Sequence, residues 1–301
     1  LYLGSGAATG GRGGIVSISV GSGTSGSGGA LSVLSGRSTV NTGGALSVQS
    51  GEGTATTSGS IVIRSANAGK SGTSGMLVFS SGTSSDGNSG GLIIGSGAAT
   101  GGRGGMVTIS AGSGTSGMGG ALSVLSGRST VHSGGSLSVE SGEGTATSSG
   151  VIAVRSANAG TKGVSGRLVF SSGSASSGNS GALYLGSGVA TGGRGGMVSI
   201  SVGSGTSGTG GALSMLSGRS TVNSGGALSV ESGEGTATSS GVISIRSANA
   251  GTKGVSGRLV FSSGSASSGN SGALYLGSGV ATGGRGGIVS ISVGSGTSGT
   301  G

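Results

Sequence analysis

The chain repeats itself on two scales, and the shorter one limits how far any single structural element can run. Large aliphatic residues recur in pairs: Val16/Ile18, Leu31/Val33, Leu46/Val48, Ile61/Ile63, Leu77/Phe79 and Leu92/Ile94. Their first members step by 15, 15, 15, 16 and 15 residues, and Val107/Ile109 follows after another 15. Six such steps make a 91-residue repeat, which also separates Arg12, Arg103, Arg194 and Arg285, each inside GGRGG. The same interval relates Arg37 to Arg128 and Arg219, and Phe79 to Phe170 and Phe261. Self-similarity at this scale points to an array of small units rather than one globular core. The expected organisation is a single continuous array over 1–301, with copies at 1–91, 92–182 and 183–273 and a partial copy at 274–301. Neither end shows a cap or a change in composition, so the sequence reads as a window of a longer repeat protein.

Composition narrows the class of unit. Of 301 residues 80 are glycine, charged residues make up 7%, and Pro, Cys and Trp are absent. Glycine at this density rules out a helical fold, because each one weakens a helix by roughly 1 kcal/mol. Collagen would need glycine at every third position together with proline. A flexible Gly/Ser linker would lack the regular apolar spacing seen here, where 32% of residues are hydrophobic. No apolar run approaches the ~20 residues of a membrane span.

Within each aliphatic pair the intervening residue is often serine, as at Ser17, Ser32 and Ser47, so the local period is two and predicts a short strand. After each pair comes Ser-Gly, then a Gly/Ser/Thr stretch, then Gly-Gly or Ser-Gly. A meander or propeller would alternate strand direction with more varied strands. Similar residues in equivalent columns instead suggest in-register stacking. The expected fold is all-β: a parallel β-solenoid (β-helix) of about 15 residues per coil, with six coils in each 91-residue repeat.

Two further patterns were sought in that register. Glu52 follows Arg37 by 15 residues, as Glu143 follows Arg128 and Glu234 follows Arg219. Arg155 likewise follows Glu140, and Arg246 follows Glu231, so stacked coils would set these ions about 4.8 Å apart. The residue between the two members of each pair would face outward. It is apolar at Val62, Val78 and Ile93, and again at Val169, Tyr184, Val260 and Tyr275. Such a strip, returning every 91 residues, is a candidate surface for lateral contact between chains.

Catalytic chemistry finds no footing. GSGTSG at Gly21, Gly23 and Gly26 fits a dinucleotide fingerprint, but no helix can follow it and no acid lies about 20 residues on. Gly69-Lys70-Ser71 resembles the end of a phosphate-binding loop, yet Arg64 stands where its first glycine is needed. Calcium β-rolls need an Asp in every short repeat, and Asp86 is alone. The single histidine, His132, replaces Asn41 and Asn223 of the other copies and reads as a surface substitution. The expectation is a non-enzyme with no catalytic residue, cofactor or metal.

The net charge of +9 is spread along the array and lacks the stacking aromatics of single-strand binders, so no nucleic-acid partner is expected. Weak attraction to acidic polysaccharide or silica fits better. No Asn lies in N-x-S/T, whereas dense Ser and Thr leave O-linked glycans open.

The GSGTSGSGGALSVLSG unit resembles the Gly/Ser-rich β-solenoid repeats of stramenopile surface proteins, including those of mastigonemes, the tubular hairs on the flagella of ochrophyte algae and oomycetes. The resemblance covers the whole chain and is compositional. It implies a glycosylated shaft protein of an extracellular, cell-surface or flagellar appendage, self-associating into filaments and joined by other shaft proteins. Two alternatives accompany it. Thr24, Thr39, Thr54 and Thr100 share one column, broken at Gly69 and Ser85, as an ice-binding surface would require without the breaks. An adhesin stalk would present the same array.

Overall fold

A computed structural model describes residues 1–295; the last six positions of the partial copy, 296–301, lie outside the described residues. The chain divides into two units, Leu1–Ile152 and Ala153–Gly301.

In the first unit the 15-residue period is a pinned loop followed by a connecting segment. The amide of Gly14 donates to the carbonyl of Gly6 at 3.3 Å, Gly44 to Gly36 at 2.8 Å, and Gly59 to Gly51 at 2.9 Å. Each bond spans eight residues, and seven more lead to the next loop, at Gly14 to Gly21 or Gly44 to Gly51. The loops are therefore small Ω-like excursions whose necks are closed by a glycine amide and a glycine carbonyl. The second unit uses the same device, with Gly196 donating to Gly188, Gly226 to Gly218 and Gly241 to Gly233.

Glycine is needed at these necks for close approach. A Cβ on Gly14 would come within 2.8 Å of Ser5 Cβ and one on Gly44 within 3.2 Å of the Gly36 nitrogen; inside the loop, one on Gly53 would come within 2.6 Å of the Thr57 carbonyl oxygen. Left-handed backbone is not the reason, since no described glycine has positive φ.

The expected parallel β-solenoid is not the structure. Among the described residues there is neither helix nor strand, and no backbone bond joins one connecting segment to another. The 15-residue period survives, but its cause differs. The Ser-Gly and Gly-Gly columns that suggested coil-on-coil register are the two sides of a loop neck, bonded within one unit. Local closure orders few residues, whereas stacking would order all fifteen, many of them glycine, which loses the most conformational freedom of any residue. Against that cost a connecting segment offers only two or three large apolar side chains.

No core forms within the chain. Among the described residues no side chain is buried. Only Ser50, Gly53, Ser65 and their counterparts Ser141, Gly144, Ser232 and Gly235 are even partly shielded, nearly all of them in the Glu-Gly-Thr loops.

Candidate self-association surface

The connecting segments keep the two-residue alternation that the sequence predicts, even without a sheet. Val62 is 76% exposed between Ile61 at 50% and Ile63 at 57%. Tyr184 is 90% exposed between Leu183 at 54% and Leu185 at 73%. Val78, Ile93, Val169, Val260 and Tyr275 are likewise each more exposed than both of their apolar neighbours. The pleat of an extended backbone sets this alternation locally, because successive side chains point to opposite sides. The flanking residues, however, are also far from buried. The apolar surface is thus wider than the strip read from the sequence, since it takes in the intended core pairs as well.

Several charged residues adjoin this surface, since Glu140, Arg155, Glu231 and Arg246 directly follow Val139, Val154, Val230 and Ile245. Arg37, Glu52, Arg128, Glu143, Glu140, Arg155, Arg219, Glu234, Glu231 and Arg246 are all exposed. The stacked register from which their pairing was read is not present among the described residues. The threonine column fares similarly: Thr24, Thr39, Thr54 and Thr100 each open the bend of a loop, and no ladder joins one loop to the next.

Side-chain hydrogen bonds serve the loops. Ser5 Oγ donates to the Gly14 carbonyl at 2.9 Å, a second clasp on that neck, and Ser96 Oγ donates to the Gly105 carbonyl at 2.8 Å, where no Gly105–Gly97 backbone bond is present. Ser187 and Ser278 repeat it at Gly196 and Gly287. In the Glu-Gly-Thr loops the Gly53 amide donates to Ser58 Oγ at 3.1 Å. These seryl clasps do not follow from the spacing alone; their signal is the serine before the first glycine of each GGRGG loop, at Gly6, Gly97, Gly188 and Gly279.

His132 finds its place here too. Its backbone amide donates to Ser129 Oγ at 2.9 Å, as those of Asn41 and Asn223 do to Ser38 and Ser220. The bond uses the main chain, so the side chain at this exposed position is free to change from Asn to His.

Among the described residues no three or more of His, Cys, Asp and Glu gather as metal ligands would, and no helix is long and apolar enough to cross a membrane. No family model matches the chain, and neither a curated protein nor a solved structure matches it.

Proposed function

We propose that the chain is a non-enzymatic structural protein of an extracellular filament, in which copies associate side by side through their connecting segments. The observation that carries this is the unburied apolar pair in every unit. A sequence that places large aliphatics every 15 residues and buries none of them within one chain presents a surface suited to another copy. Among the described residues the amides and carbonyls between one loop neck and the next, the turn from Gly72 to Gly69 and its repeats aside, also have no backbone partners, which identical segments of a neighbour can supply. The 91-residue repeat favours a second copy over a foreign partner, since two identical chains offer matching segments both in register and after a shift of one repeat, wherever they overlap.

The resemblance to mastigoneme repeat proteins supports placing the filament on a cell surface or flagellar hair, with O-linked glycans on the exposed loops. The solenoid that the resemblance implied is not carried over.

Hydrogen exchange on the full chain tests the proposal. In dilute monomer the amides of 60–65 and 75–81 should exchange within about tenfold of an unstructured peptide. On concentration the chain should sediment as filaments, and the same amides should slow by orders of magnitude. A chain that stays monomeric at every concentration would overturn it.

A further inference from the structure

One unit in each repeat carries a tight turn that the other units lack, and a hollow lies at its start. The 16-residue step between Ile61 and Leu77 holds the sequence Arg64-Ser65-Ala66-Asn67-Ala68-Gly69. Here no eight-residue neck bond forms; instead the Gly72 amide donates to the Gly69 carbonyl at 3.2 Å, a tight turn repeated from Gly163 to Gly160 and from Gly254 to Gly251. Arg64, Ser65, Ala66 and Asn67 line a hollow of about 260 Å³. The equivalent hollows begin at Arg155, about 280 Å³, and Arg246, about 200 Å³.

The lining chemistry is constant: a guanidinium, a hydroxyl and a carboxamide, all able to donate, and no carboxylate. A guanidinium presents a rigid fork of donors that matches a carboxylate or sulfate in two parallel hydrogen bonds. The charge around the hollows points the same way. The next charged residue along the chain is another cation in all three copies, Lys70, Lys162 and Lys253. The second and third copies add Arg167 and Arg258 where the first has Met76. Between Gly144 and Val230 the chain carries Arg155, Lys162, Arg167, Arg194 and Arg219, with no Asp or Glu.

We propose that the hollows at Arg64, Arg155 and Arg246 are binding sites for the oxyanion groups, carboxylate or sulfate, of an acidic polysaccharide. Three sites on one chain suit a polymeric ligand, because each engaged site raises the effective concentration of ligand at the next. The inference goes beyond the filament and does not depend on it, since the hollows belong to a single chain.

The test measures binding of the 301-residue chain to polygalacturonate, dextran sulfate and neutral dextran. A triple variant, R64Q/R155Q/R246Q, is set against a control of equal charge, R12Q/R103Q/R194Q, in the GGRGG loops. The unaltered chain should bind one or both acidic polymers and not dextran, and the polymer bound identifies the oxyanion. The hollow variant should lose affinity on the order of tenfold or more, and the control no more than about threefold. Equal loss in both variants would reduce the effect to net charge and overturn the sites, as would no binding to either acidic polymer.

Discussion

The loop 51–59 and the segment 59–65 that follows it are adjacent in sequence and opposite in how their groups are satisfied. The loop is closed by the Gly59–Gly51 bond and by the Gly53 amide on Ser58 Oγ. The segment holds Ile61, Val62 and Ile63, three of the larger apolar side chains of the repeat, all at least half exposed. The neck of the loop is bonded inside the unit, and the apolar surface of the segment is not covered there. Small residues permit the first, because a neck of glycines lets carbonyl and amide meet without side chains between them. The second needs a partner of comparable apolar area, and the loops on either side, made of Gly, Ser and Thr, have none to offer. The stable parts of one chain and the adhesive parts are thus different stretches in strict alternation.

The comparison breaks most sharply at the segments. Val78→Asp, Val169→Asp and Val260→Asp together should raise the concentration needed for assembly by roughly tenfold or more, since each charge enters a contact otherwise worth about 1.5–3 kcal/mol per large side chain. Sedimentation against concentration measures it, and the loop bonds should be untouched. Unchanged assembly would remove the segments as the contact.

A smaller effect is expected at a neck. Gly53→Ala puts a methyl group against the Thr57 carbonyl and should open the loop, costing about 1 kcal/mol, so the Gly59 amide should exchange roughly fivefold faster. Assembly should persist, because the segments keep their side chains. The smallest change is Ser96→Ala, which removes one exposed clasp at Gly105 and should alter amide exchange in that loop by about twofold. An effect on assembly from either loop variant would mean that loops and segments are not independent.

Much of the local organisation was legible. The alternation of exposure along Ile61, Val62 and Ile63 was legible in their spacing, but the strand pairing and burial expected of Ile61 and Ile63 are not present. The hollow at Arg64 was not legible, because a concavity depends on how the backbone runs through Arg64, Ser65, Ala66 and Asn67, which spacing does not give. The seryl clasps could have been found from the serine that precedes Gly6, Gly97, Gly188 and Gly279.

By itself the sequence determined the period, the division of each unit into an apolar segment and a glycine-bounded loop, and the recurrence of every feature at 91 residues. The choice of hydrogen-bond partner was decided only by the tertiary structure. A column of glycines is equally periodic whether its amides bond eight residues back in the same unit or across to the next coil. Spacing therefore cannot distinguish a pinned loop from a stacked strand. The structure takes the nearer partner, which orders the fewest glycines and leaves the apolar segments uncovered.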